Sequence, residues 1–325
     1  MFETPILFLL FNRPDTTKLV FAKIREVKPK YLFIAADGPR ADRQSEKELC
    51  EQTRNLVMDS IDWDCEVKTL FRNENLGCGK AVSLAITWFF DNVEQGIILE
   101  DDCLPDLSFF QYCSDLLEKY RFDEQVFVIG GNNFQSKKWG KSSYYFSAYG
   151  FTWGWATWRR AWSKFDYSLQ SIEEKQFKHQ LKRYFPKQQQ RDYWYCIYKT
   201  MKYIPIDTWD YQWTITQWYN NGINILPNIN LVKNIGFGND ATHTKCNVDG
   251  VMNLETHHID LIIHPSKKKI NKKADLCSFY KIFEQKKIPP KLLYFNDVKV
   301  SVKVILKKII NRLNLFIQLF LRKGK

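Results

Sequence analysis

Over the first 130 residues, continuous apolar runs alternate with amphipathic stretches. The runs "PILFLLFNR" (5–13), "YLFIAADG" (31–38), "CEVKTLFR" (65–72), "GIILEDD" (96–102) and "VFVIGG" (126–131) read as strands. A run that is apolar at nearly every position suits a strand covered on both faces; a half-exposed strand would alternate. Between the first two, Pro14 opens a helix with Asp15 in its first turn, where a carboxylate meets the positive end of the helix. A charged stretch from about Asp42 to Met58 predicts the next helix. "NLGCGKAVSLAITWFFDNV" (75–93) predicts a glycine-containing turn feeding an amphipathic one. Repeated strand–helix units imply an α/β fold around a mostly parallel sheet with right-handed crossovers. In such sheets ligands bind at the carboxyl ends of the strands. Those ends carry Asn12 and Arg13, Asp37, Arg72 and Asn73, and the triplet Glu100, Asp101, Asp102. They are expected to converge on one rim.

The pattern changes at Tyr144. "YYFSAYGFTWGWATWRRAW" is dense in aromatic residues and glycine, and no fixed-period repeat is visible. Helical stretches follow near 171–184, 188–203 and 209–221, and "INILPNINLVKNIG" (223–236) reads as strand, turn, strand. Beyond Pro265 the chain is lysine-rich, and Val302, Leu306, Ile309, Leu313, Phe316 and Phe320 fall on one helical face.

At 325 residues, 45% hydrophobic and 16% aromatic, the chain can build a large core, which excludes disorder as its main state. The net charge of +12 is uneven. Pro265 to Lys325 holds 17 basic and 3 acidic residues, a local +14, leaving about −2 on the rest. Nucleic-acid binding would need the basic residues among the aromatic middle, so it is not expected. The eight cysteines form no C-x-x-C pair, which argues against a zinc ribbon or disulfide scaffold and fits a reducing compartment. The N-terminus starts with an acid and a short apolar run, unlike a signal peptide. No apolar stretch reaches the roughly 18 residues of a spanning helix. A cytoplasmic protein is expected, or one peripheral on the inner face of the cytoplasmic membrane. There the basic amphipathic helix over 298–321 would lie on an anionic surface.

The acid triplet has the clearest chemistry. Hard cations such as Mn²⁺ and Mg²⁺ prefer oxygen ligands, and Mg²⁺ sites often combine one or two carboxylates with substrate phosphates. A solvated strand end would explain an isolated triplet; the rim context favours the metal. "NLGCGKA" lacks a full phosphate-loop pattern, yet a helix N-terminus with glycine is also an anion site, so Asn75, Gly77 and Lys80 are candidates for the nucleotide sugar. Trp153, Gly154 and Trp155 could meet the apolar face of a sugar, with simple packing an equal competitor. In "DTWDYQW" (207–213) Asp207 could be a helix cap and Asp210 a surface acid, or aromatic surroundings could make either a base. The histidines show no zinc-ligand spacing.

Together, "ILFLLFNRPD", "IAADGPR", "RNENLGCGKAV", "ILEDDCLP", "GFTWGWATWRRAW" and "TWDYQW…GNDATH" resemble nucleotide-sugar glycosyltransferases of the GT-A fold. The likeness is to bacterial surface-polysaccharide enzymes related to N-acetylglucosaminyltransferase I, over roughly residues 4–250. The resemblance implies a three-layer sandwich around a mixed sheet. It implies Asp102 as the Mn²⁺ or Mg²⁺ ligand, with Glu100 and Asp101 near the ribose and metal waters. It further implies Asn12, Arg13 and Asp37 at the base and ribose, Asp210 as catalytic base and His243 at the acceptor. The expected layout is a catalytic domain over 1–264, with a nucleotide half (1–131) and an acceptor half (132–264), followed by a basic tail (265–325). The resemblance implies a reaction that moves a sugar from a nucleotide-diphosphate sugar, UDP-linked, to a glycan or lipid-linked glycan. A sugar-phosphate nucleotidyltransferase, or a non-catalytic carbohydrate- or membrane-binding protein, is the alternative. The former would want a glycine-rich basic loop after the first strand, which "FNRPD" does not supply.

Overall fold

The computed structural model describes residues 1–236 and 254–283. Strand β1 (Ile6–Leu10) is buried at every position. Its side chains divide by parity, as strand geometry requires. Ile6, Phe8 and Leu10 enter one core, while Leu7 and Leu9 enter another on the opposite face. Helices α1 (Pro14–Val27), α2 (Gln44–Asp59) and α4 (Ser108–Lys119) cover the first face. Helices α3 (Cys78–Asn92), α5 (Arg159–Trp162) and α8 (Asp210–Tyr219) cover the second. A fully buried Ile or Phe contributes about 1.5–3 kcal/mol, so a strand used on both faces stabilises roughly twice as much per residue pair as a half-exposed one.

The remaining strands are β2 (Tyr31–Ala36), β3 (Glu66–Phe71), β4 (Gln95–Glu100), β5 (Cys103–Pro105), β6 (Val126–Gly130), β7 (Tyr144–Ser147), β8 (Trp155–Trp158), β9 (Ile223–Pro227) and β10 (Val232–Asn234). Seven of them join β1 in one eight-stranded sheet, in the order β3-β2-β1-β4-β8-β6-β9-β7, and β10 pairs with β5 separately. The first four strands are mutually parallel. β8 then runs antiparallel between β4 and β6, with Ile98 opposite Trp155 and Ile129 opposite Ala156. This is the α/β sandwich around a mostly parallel sheet that the strand–helix alternation implied, made mixed by the antiparallel strands β8 and β7. The two halves expected of the domain share that one sheet.

β7 and β8 were not read as strands from the sequence. Both are four residues long, and glycines and aromatics around them mask any alternation. The expected boundary at 264/265 also shifts. Ile270 bridges to Phe146, and α9 (Lys272–Ser278) with the π-helical turn Phe279–Phe283 packs on the domain. The packed fold therefore extends at least to Phe283. The amphipathic face at 302–320 and His243 lie outside the described residues.

Asp275 fastens α9. It is buried, and its two oxygens accept hydrogen bonds from Ser147 Oγ at 2.6 Å and the Ala148 amide at 2.9 Å. Burial pushes its carboxyl from the ordinary 3.8 up to about 7, against the smaller opposing effect of those hydrogen bonds. A raised native value means that the folded chain holds more protons than the unfolded one between about pH 4 and 7. Stability from this group is thus present at low pH and lost as pH rises through that window. Asp275→Asn should flatten that slope. Urea midpoints at pH 5 and pH 8 would test this, and a variant whose slope equals the parent's would exclude Asp275 as the source.

Candidate active site

The parallel strands deliver their carboxyl ends side by side. Glu100 closes β4, and Asp101 and Asp102 turn out of it. Asp101 is buried, and its Oδ2 accepts the Phe11 amide at 3.1 Å, which ties the ends of β4 and β1 together. Asp102 stands further out. Its Oδ2 receives Arg13 Nη1 at 2.9 Å, and its Oδ1 faces Asn234 Nδ2 at 3.4 Å. The Asp102 carbonyl accepts from the Ile235 amide at 2.8 Å, so the chain after β10 closes over the acid. Burial first, then the neighbouring carboxylates, push Glu100 and Asp101 well above the usual carboxylate range. Arg13 opposes this, but one guanidinium does not balance three acids.

The other strand ends are braced from behind. Asn12 donates to Glu46 Oε1 at 2.9 Å. Glu46 is buried and also holds Arg40 through a multiple hydrogen-bonded ion pair. Burial pushes Glu46 up, but Arg40 outweighs it and keeps the carboxyl below its ordinary range. Arg54 bridges the carbonyls of Asp37 and Arg72 at 3.0 and 2.7 Å. Neither Glu46 nor Arg54 was singled out from sequence. Their only signal was their place on the charged α2 stretch.

The glycine turn before α3 departs from its expected role. Asp37 accepts the amides of Leu76 and Gly77 at 3.1 and 3.2 Å. Asp207 accepts those of Cys78 and Gly79 at 2.9 and 2.7 Å. Asn75 donates to the Gly38 carbonyl at 2.8 Å. The positive helix terminus, expected to meet a nucleotide sugar, is thus filled by the protein's own carboxylates. Gly77 serves that packing: its φ is +82°, and a Cβ there would lie 2.6 Å from Asp207 Oδ2. Lys80 is exposed on the first turn of α3. Asp207→Ala should cost about 1 kcal/mol, the usual worth of a capping side chain, read as a lower denaturation midpoint. No change in midpoint would mean that water replaces the cap.

Asp210 opens α8, with Thr208 Oγ1 and the Tyr211 amide both donating to its Oδ1. It lines a cleft with Asn132, Phe134, Trp153 and Phe151. The cleft and the acid triplet are joined electrostatically. Cys78 lies where burial and the charges of Glu100, Asp207, Asp210 and Asp102 all raise its thiol far above the ordinary value. That environment also makes Cys78 inert as a nucleophile.

The aromatic candidates separate. Trp153 is partly exposed in the cleft and packs edge-on against Phe134, with ring centroids 5.0 Å apart. Gly154 has φ +63°, and a Cβ there would lie 2.8 Å from Val232 Cγ2, so it is a packing glycine. Trp155 corrects the expectation of a sugar contact. It is fully buried in β8 and stacks on Trp209 at 5.7 Å, inside the second core. Trp153 precedes β8, and the left-handed turn at Gly154 lies between the two residues, so Trp153 and Trp155 do not share the cleft. Asn132, missed from sequence, is buried on its wall. Neither of its side-chain polar atoms has a partner among the described residues.

A divalent cation fits Asp102 in one way. Among the described residues no cluster of three or more His, Cys, Asp or Glu could hold a metal by itself. Asp102 can supply one hard oxygen ligand, with diphosphate oxygens and water completing the shell. The uncompensated negative charge on the triplet favours such an ion. The seven described cysteines are free, and no described helix is long and apolar enough to cross a membrane.

No family model matches the chain, and no curated protein matches it in sequence. Several solved structures are similar. A mannosyltransferase from Pyrobaculum calidifontis, in complex with GDP-Man and Mn²⁺, is 12% identical, with 70% of this chain and 57% of that one covered and a TM-score of 0.33. TarS 1-349 from S. aureus is 9% identical, with 71% and 60% covered and a TM-score of 0.38. A cytidylyltransferase from Leptospira borgpetersenii is 16% identical, with 51% and 64% covered and a TM-score of 0.32. The chain thus spans less than two thirds of the length of each of these proteins. Likeness at this level carries no activity over to the chain.

Proposed function

We propose that the chain is a metal-dependent, inverting glycosyltransferase acting on a nucleotide-diphosphate sugar. The observation that carries this reading is the acid triplet Glu100, Asp101 and Asp102 at the carboxyl end of β4 next to the cleft that Asp210 lines: Trp153 lines that cleft, and a Cβ on the adjoining Gly154 would lie 3.2 Å from Leu99 Cδ2. A transfer reaction needs these two functions together: an anchor for the leaving diphosphate and a base for the incoming hydroxyl. Asp102 would ligate Mn²⁺ or Mg²⁺. When bound, the cation neutralises the diphosphate and makes it a better leaving group. Arg13, already on Asp102, adds a second positive charge at the same place. Asn12, Asp37 and Arg72 line the side where the nucleoside would rest.

Asp210 takes the proton from an acceptor hydroxyl. The oxygen attacks the anomeric carbon as the bond from that carbon to the phosphate oxygen breaks, and the nucleoside diphosphate departs. Attack opposite the leaving group inverts the anomeric centre. UDP is the favoured nucleotide by resemblance. A glycan or lipid-linked glycan is the favoured acceptor, with the basic tail on an anionic membrane surface. Incubation of the full chain with a panel of nucleotide sugars, with and without Mn²⁺, tests the reading. The expected result is metal-dependent release of nucleoside diphosphate. Formation of a nucleotide sugar from nucleoside triphosphate and sugar phosphate, with pyrophosphate released, would instead establish a nucleotidyltransferase.

A further inference from the structure

The sequence carries two adjacent asparagines, Asn132 and Asn133, and the fold treats them oppositely. Asn133 is fully engaged. Its amide donates to Asn230 Oδ1 at 2.9 Å, its Nδ2 to the Pro227 carbonyl at 2.6 Å, and its Oδ1 accepts the Gln135 amide at 2.8 Å. Asn132 is 1% exposed, yet its Oδ1 and Nδ2 have no partner among the described residues. Buried side-chain amides are nearly always paired, so an orphaned one calls for an occupant.

Its backbone is also held on both sides. The Gly131 amide donates to the Gly154 carbonyl at 2.7 Å, the Leu231 amide donates to the Gly131 carbonyl at 2.9 Å, and Asn133 is anchored as above. The amide is thus fixed in place on the wall of the cleft that Asp210 also lines. Beside it, Phe134 and Trp153 present aromatic surface to the same space.

On the glycosyltransferase reading above, we propose that Asn132 selects the acceptor by binding the terminal pyranose of a glycan. A primary amide offers a donor and an acceptor side by side. The matching group both donates and accepts at adjacent atoms, as a pair of neighbouring sugar hydroxyls or an acetamido group does. The apolar C–H face of the same ring suits the aromatic wall. A lipid chain would leave both Asn132 atoms unsatisfied, which is why the pyranose and not the lipid occupies this wall. The hydroxyl left toward Asp210 is then the one that reacts.

The test uses the full chain saturated with UDP and Mn²⁺ and a panel of methyl pyranosides (gluco, galacto, manno and N-acetylglucosamine forms), followed by saturation-transfer NMR. At least one pyranoside should bind the parent protein. Asn132→Leu and Asn132→Ala should each weaken it at least about tenfold, since the hydrogen bonds that select it are gone. Thermal midpoints and UDP affinity should stay at the parent values, because no structural bond is lost. Should the leucine variant fail to fold, the alanine variant carries the comparison. A marked fall in the alanine variant's midpoint would make Asn132 a structural residue and overturn the proposal. So would undiminished pyranoside binding in either variant, or none in a parent protein that binds UDP. A parent protein that binds no UDP with Mn²⁺ would instead bring down the glycosyltransferase reading itself.

Discussion

Asp210→Asn is expected to lower turnover by roughly 10²–10⁴-fold, the range that general-base catalysis supplies, while nucleotide binding with Mn²⁺ persists. The substitution is nearly isosteric. Its Oδ1 can still accept from Thr208 and the Tyr211 amide, so the start of α8 should hold. What it loses is a carboxylate able to take a proton in the cleft. The nearest rival base is Asp207, but that residue already has both oxygens on the amides of Cys78 and Gly79. Steady-state rates with saturating donor, beside calorimetric UDP titrations, separate the two functions. A near-normal rate in the variant would move the base to another residue. Joint loss of rate and UDP binding would make Asp210 part of the donor site.

Asp102→Asn should abolish metal-dependent nucleotide affinity. Changing even the partners of metal ligands costs 10–100-fold in metal affinity or activity, so losing the ligand's own charge should cost at least about 10²-fold. The fold should survive, because a neutral amide oxygen can still accept from Arg13 and the backbone bond from Ile235 to the Asp102 carbonyl is untouched. UDP titrations with and without Mn²⁺ read the effect directly. If UDP binds the variant as tightly as the parent in Mn²⁺, the ligand lies elsewhere, and Glu100 becomes the next acid to replace.

The strands that carry the acidic rim were legible because they need only local information. β1, β2, β4 and β6 are continuous apolar runs, and burial on both faces leaves no other pattern open to them. Turn residues and charges then marked the rim, so Asp37 and Glu100 to Asp102 stood out before any contact was known. β7 and β8 were not legible. They are four residues each, and β8 owes its place to pairing with β4 and β6, which lie some 30 to 60 residues earlier in the chain.

Side-chain fate was the least local property. Asp207 and Asp210 sit three residues apart in one aromatic segment, and either could have been cap or base. Only the fold brings α3 against Asp207 and turns Asp210 into the cleft. Trp153 and Trp155 looked alike in sequence, yet the turn at Gly154 leaves one at the cleft while β8 carries the other into the core. The two asparagines at 132 and 133 are adjacent and chemically identical; their difference arises from Asn230 and Pro227, which hold only Asn133 and come from a distant part of the chain. By itself the sequence determined the α/β class and the acids at the strand ends, because burial periodicity and like-charge crowding act over a few residues. The tertiary structure alone decided which carboxylates are spent on backbone amides and which polar groups remain open to a ligand. Hydrogen-bond satisfaction depends on partners that only folding brings within 3 Å or so.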